Sequence, residues 1–188
     1  MQQNEKPQLY NDLHPEKSLK NTGFKDATTA LNTIKLVSKR SLKYKFDVIN
    51  TLYYRALHHP YRTTHMEEAM VIFHKWLKKY PKLKKYQDTK YKLLTLEQIE
   101  KYENIYKINQ KYKQFLEMYK QVNGKAHKLQ YILIKPDKPD GYDYLSYRIK
   151  FINSILDKNI KLYNLDGTPS KQHVILILNG YSPDKKIY

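Results

Sequence analysis

The chain has no cysteine. That excludes disulfides, thiolate metal sites and cysteine nucleophiles at once. Glycine is scarce, at 5 in 188 residues, too few for a glycine-rich phosphate cradle. Accordingly there is no Walker A motif, no GxGxxG and no GxSxG. Arginine is nearly missing too: of 35 basic residues only Arg40, Arg55, Arg62 and Arg148 are arginine. No apolar run approaches the length of a membrane span. The first ten residues hold no apolar core of a secretory signal and are not arginine-rich, so an intracellular, non-secreted protein is expected, with the cytosol, the nucleus or a virion as its setting.

Acidic residues are outnumbered, 18 against 35, and the formal net charge is +17. Such a balance points to phosphate-bearing or otherwise acidic partners. A lysine ammonium is a flexible point charge, whereas arginine presents a planar fork suited to bidentate reading of a base. A lysine surface therefore favours contact with a backbone over reading of a sequence. Coding bias towards Lys, Asn, Ile and Tyr would produce the same composition without any partner. Hydrophobic content of 40% suffices for a core, and the length suits one domain with or without an appendage.

The clearest plan in the chain runs from Ala27 to Pro81. Ala27, Ala30, Leu31, Ile34 and Val37 form one helical stripe, interrupted at Ser38-Lys39-Arg40-Ser41. Leu42, Phe46, Ile49, Tyr53 and Ala56 form a second, and Met66, Met70, Phe73, Leu77 and Tyr80 a third. The elbow between the last two, Leu57 to Thr64, holds Pro60, which cannot continue a helix. Thr64 with Glu67 reads as a capping box opening the next helix. The spacing thus predicts an α-hairpin whose second arm ends near Tyr80, since Pro81 is a stop signal.

A lysine-rich connection follows. Thr95 with Gln98 reads as a second capping box, opening a helix that runs to Val122 and closes at Asn123-Gly124. Beyond Gly124 the period changes. Residues 129–134, 160–165 and 173–178 read as strands, and Leu145, Ile149, Ile152 and Leu156 as one helix. The expected fold is α+β: a polar arm over residues 1–23, where Leu9, Tyr10, Leu13 and Leu19 give local anchorage; a helical domain over 24–124 with its central hairpin; and a small β-α-β-β unit over 125–188 packed on the helices.

His14-Pro15, Thr22-Gly23-Phe24, the run Asn50 to Ala56 and His58-His59-Pro60 together resemble uncharacterised proteins encoded by large DNA viruses of protists. The resemblance covers about the first eighty residues. It implies a viral origin and carries no activity.

Three constellations are candidates for chemistry. His58, His59, His65 and His74 lie in or near the elbow, where His65 and Glu68 can share a face and His74 lies on another part of the helix; HExxH is missing, His58 and His59 read as terminating the first arm, and no metal is expected. Asp137, Asp140 and Asp143, with Asp166 in the next loop, lie where carboxylates sit in metal-assisted phosphate chemistry. Asp140 as an N-cap and Asp166 as a turn residue account for them without catalysis, and that reading is preferred. No catalytic residue and no cofactor is assigned.

The third constellation is the strongest. From Lys75 to Lys125 fourteen lysines face five acids. Lys75, Lys78, Lys79, Lys82, Lys84, Lys85 and Lys90, interleaved with Tyr86, are the candidate nucleic-acid contacts. Lysines would meet phosphates and tyrosine would stack on a base. The expected function is a non-enzymatic basic protein, a binding or structural component of a nucleoprotein assembly that grips phosphate backbones without sequence specificity. The alternatives are a scaffold or virion assembly protein whose lysines meet acidic protein surfaces, and a metal-dependent enzyme acting on phosphate esters.

Overall fold

A computed structural model describes residues 19–188. Most of the expected arm, with its anchors Leu9, Tyr10 and Leu13 and the His14-Pro15 pair, lies outside the described residues. Among the described residues eight α-helices follow one another: α1 (Ala27–Leu36), α2 (Leu42–Leu57), α3 (Thr64–Lys90), α4 (Leu96–Glu100), α5 (Gln114–Gln121), α6 (Ala126–Leu129), α7 (Tyr144–Leu156) and α8 (Lys171–Leu178). Single 3-10 turns lie at Gln110–Tyr112 and Lys185–Ile187.

The first three helices pack around Ala30, Val37, Ile49, Leu52, Ala69 and Phe73. Asp26 opens α1 by accepting from the Thr29 amide at 2.7 Å. That backbone hydrogen bond, with a second from the Thr29 hydroxyl, holds the Asp26 carboxyl below its usual pKa. The α2–α3 hairpin forms as the apolar spacing predicts, and Phe46 of one arm stacks on Tyr80 of the other at 4.2 Å. The cap differs by one residue. Thr63, extended at φ −113° and ψ 161°, accepts from the Met66 amide, and Glu67 pairs with Arg62 at 3.3 Å instead of reaching back. Phe73 is fully buried. Replacing it with alanine is expected to lower stability by about 3–5 kcal/mol; a denaturant titration of the variant measures it.

The second arm does not stop at Pro81. α3 runs through it to Lys90. A proline inside a helix removes one amide and crowds the carbonyl four residues back, at about 3 kcal/mol. Here Pro81 is exposed, and the helix gains further turns of good helix formers beyond it. Its far end is also tied down: the Tyr91 hydroxyl donates to Asn153 Oδ1 of α7 at 2.7 Å.

The single helix expected over 95–122 breaks in two. Thr95 and Gln98 make the expected capping box for α4, which ends at Glu100. The apolar residues beyond it circle the axis, and burying Ile99, Ile108, Phe115 and Leu116 in one core requires an irregular path. Asn109 helps by accepting from the Lys111 amide at 3.0 Å. Asn123 and Gly124 both take left-handed backbone, at φ 52° and 68°, and the Gly124 amide closes α5 on Tyr119 O at 2.9 Å.

The β-α-β-β unit is absent. The described residues are 57% helix and 2% strand, with no sheet among them, so the α+β class is wrong and the fold is helical. Of the three expected strands, residues 129–134 end α6 and then make one isolated bridge, Leu133 with Asp143. Residues 160–165 make only the bridge Tyr163 with Pro169. Residues 173–178 form α8, and all six are buried. A segment that is apolar on every side shows no period, so a short run of this kind reads equally as strand or helix. Its ends decide the matter: the Ser170 hydroxyl accepts from the His173 amide at 3.2 Å, and Gly180 turns out at φ 72°.

α8 is the centre of the second core, packed against α4, α5 and α7 with Leu94, Ile99, Phe115, Leu116 and Leu129 around it. The four arginines divide sharply. Arg148 of α7, 4% exposed, donates to Asn179 O at 2.8 Å, Gly180 O at 2.7 Å, and Tyr91 O and Lys92 O at 3.2 Å each. Burial pulls its pKa down to about 10, so it stays charged at neutral pH. Arg40, also 4% exposed, joins the two halves by donating to Asp143 Oδ2 at 3.3 Å, Gln130 O at 2.8 Å and Pro139 O at 3.2 Å. No helix of the described residues is long and apolar enough to cross a membrane.

His173 is buried in α8, its ring between Leu162 O at 3.0 Å and Ser182 Oγ at 2.8 Å. A neutral ring fits both if Nδ1–H donates to the carbonyl and Nε2 accepts the hydroxyl. Burial lowers its pKa below the ordinary 6.5. The unfolded chain then binds a proton more readily than the folded one, so stability is fully present above about pH 6.5 and falls on acidification towards the folded pKa. Melting temperatures taken from pH 7.5 down to pH 5 should fall for the native protein, and His173→Gln should flatten that part of the curve.

Candidate nucleic-acid interface

The candidate residues Lys75, Lys78, Lys79, Lys82, Lys84, Lys85, Tyr86 and Lys90 all lie exposed on α3. They do not share one face. At 3.6 residues per turn, Lys75, Lys78, Lys79, Lys82, Tyr86 and Lys90 fall within roughly a third of the circumference. Lys85 lies at the edge of this stripe. The opposite side carries Phe73, Trp76, Leu77 and Tyr80, which pack on the α1–α2 core or against its margin. The stripe points away from the protein because its reverse is anchored in it.

Lys84 belongs elsewhere. It lies across the helix from the stripe and is ion-paired with Asp88, one turn on. Asp88 is the one carboxylate of α3 beyond Glu68, so no acid lies within the stripe. Lys75, Lys78, Lys79, Lys82 and Lys85 have no ion-pair partner among the described residues. Lys90 sits 5.5 Å over the Tyr86 ring and 5.1 Å over that of Tyr91. Hydrogen bonding to Tyr86 first, and to Tyr91, raises its pKa, which keeps the ammonium charged. Tyr86 is 58% exposed, so its ring has a face open to solvent.

Four of the lysines further along are engaged within the protein. Lys113 and Lys120 both meet Glu103, at 3.7 and 2.6 Å. Lys101 pairs with Glu97 at 3.4 Å, and Lys92 sits 4.7 Å over the Tyr188 ring. Lys107 and Lys125 are exposed and also without an ion pair among the described residues, but they stand apart, and the α3 stripe is where unpaired lysines of the tract share one helix face.

The histidines of the elbow separate. His58 stacks on Tyr54, His74 on Tyr53, and His59 meets the edge of Phe24. His65 lies 3.6 Å from Glu68. No three His or carboxylate side chains converge on a metal-sized space among the described residues. The acids separate as well. Asp140 pairs with Lys39 at 3.6 Å. Asp143, not Asp140, is the N-cap of α7 and is fully buried. It binds the Ser146 amide at 2.8 Å, the Ser41 amide at 2.6 Å and Arg40. Asp166 makes a local turn with the Thr168 amide and hydroxyl, and those bonds keep its pKa low. Asp140, Asp143 and Asp166 are thus committed to three different structural tasks, and Asp137 joins none of them.

The clefts that lie away from the elbow among the described residues include two that border α7. The larger, about 970 Å³, opens between α7 and the 158–166 loop, with Tyr112, Phe151 and Ile175 at its apolar side and Lys158 and Lys161 at its rim. The other, about 520 Å³, lies where the α1–α2 turn, the exposed half of α3 and α7 meet, and Ser41, Lys45, Tyr86 and Lys150 are among its walls. Sequence reasoning missed Ser41, Lys45 and Lys150, because they come from segments a hundred residues apart that only the fold brings together.

No protein-family model, curated protein or solved structure matches this chain.

Proposed function

We propose that this protein is a non-enzymatic, nucleic-acid-binding component of an intracellular nucleoprotein assembly, and that it grips phosphate backbones along α3 without reading sequence. The observation that supports this is the stripe itself. Lys75, Lys78, Lys79 and Lys82 stand free on the outer face of one helix, with no acid between them and an open tyrosine ring in line. Ammonium groups at this density lower their mutual repulsion when they meet phosphates and release the counterions condensed there. Tyr86 adds a surface on which a base can stack. Two of the four arginines are buried as structural clips, which removes the side chains best suited to bidentate base contacts. The resemblance in the first eighty residues adds a viral origin to this proposal, and a virion is one setting for it.

The test is a salt titration of binding to two unrelated single-stranded oligonucleotides. Binding should be equal on both and fall steeply with salt. An acidic protein surface could meet the same stripe. If a stoichiometric protein complex forms and no oligonucleotide binds even at low salt, the nucleic-acid reading fails and the scaffold reading replaces it.

A further inference from the structure

The cleft between the α1–α2 turn, the exposed half of α3 and α7 ends on an unusual helix start. Ser41 is the N-cap of the 16-residue α2, yet its side chain caps nothing. It is 4% exposed, and its hydroxyl has no hydrogen-bond partner. A buried hydroxyl without a partner is a standing loss unless a ligand or water satisfies it. The first amides of a helix also lack intrahelical acceptors and carry the positive end of its dipole.

The charges around this point are uneven. Lys39 is neutralised by Asp140 and Arg40 by Asp143. Lys45, one turn into α2 from Ser41, is half-buried and has no hydrogen-bond or ion-pair partner among the described residues. Burial lowers its pKa, partly opposed by Asp143 behind it. Lys150 of α7 lies on the other wall, 4.7 Å over the Tyr142 ring. No carboxylate lines the cleft. Two lysines with no ion pair among the described residues, an unused hydroxyl and a helix N-terminus therefore converge on one space.

We propose that this cleft is a phosphate-binding site, in which Ser41, the start of α2, Lys45 and Lys150 hold a phosphate group. Tyr86 belongs both to the cleft wall and to the α3 stripe, so a strand laid along the stripe reaches the cleft at that residue. In that form the inference deepens the proposed function, naming a fixed anchor at the end of a row of diffuse contacts. The phosphate group itself can come from a strand or from a free phosphate.

The test is nuclear magnetic resonance on the full chain, following the amides of Leu42 and Lys45. Inorganic phosphate should shift them saturably, where chloride at equal ionic strength does not. Ser41→Ala with Lys45→Met should weaken that binding ~10-fold or more, the loss typical of one or more charge-assisted hydrogen bonds. Lys150→Gln, at an exposed position, weakens it without endangering the fold. A response to phosphate no different from that to chloride, or equal affinity in both variants, overturns the proposal. A short oligonucleotide then identifies the source. If it shifts the same amides and phosphate competes with it, the ligand is a backbone phosphate. If phosphate shifts them and the oligonucleotide does not bind, the site takes a free phosphate, and it is the stripe reading, not this one, that has failed.

Discussion

Replacing Lys75, Lys78, Lys79 and Lys82 together with glutamine should weaken oligonucleotide binding on the order of 10-fold for each lysine that touches a phosphate, at about 0.1 M salt. The size follows from counterion release. Each neutralised phosphate of a duplex contributes about 0.9 to the slope of log affinity against log salt, and about 0.7 on a single strand. The slope should therefore flatten by that amount per contact, equally on unrelated sequences. The internal control is Lys84→Gln. Lys84 is paired with Asp88 on the far side of the helix, so its loss should leave the slope unchanged. Melting temperatures of both variants should stay close to that of the native protein, because exposed charges contribute little to stability. Equal slopes for the native and quadruple-variant proteins would move the footprint off α3.

Asp143→Ala should be the most damaging single substitution in the chain. The carboxylate is fully buried and answers three donors from two elements: Arg40, the Ser41 amide and the Ser146 amide. Removing it leaves the Arg40 guanidinium buried beside two carbonyls but without an anion. Breaking a buried pair in this way costs about 3–5 kcal/mol, and the lost N-cap of α7 about 1 kcal/mol more. A denaturant midpoint reads the sum. The double variant Asp143→Ala with Arg40→Met should recover part of it, since removing both partners avoids the unpaired charge. No recovery would mean that Asp143 acts through the cap and the Ser41 amide alone.

The helical hairpin was legible because each arm is half-buried, so its apolar residues recur at helical spacing along one face. Even there the sequence misplaced the cap, because Thr63 and Thr64 are chemically equal and only backbone geometry separates them. α8 was misread for the opposite reason: buried on every side, it has no polar face to reveal a period. Pro81 misled because the rule that proline stops helices is a local one, and the attachments holding the far end of α3 lie sixty residues away at Asn153. The candidate contacts picked out by lysine content all fall on α3. The phase of 3.6 separates Lys84 from the stripe and needed only the knowledge that α3 continues past Tyr80. The Ser41–Lys45–Lys150 cleft left no local signal at all.

α3 is held at both ends and bare in the middle. Ala69 and Phe73 lock its first half into one core, while beyond its last turn Tyr91 and Lys92 are clipped by Arg148. Between these moorings Pro81 withholds an amide from the Leu77 carbonyl, and Pro81 to Tyr86 are all exposed. The helix is thus a beam with a compliant midpoint. Bending there changes the angle between the upper and lower lysines while their spacing within each half stays constant. Such a surface follows a curved polyanion by flexing once, at a defined place, without dismantling either core.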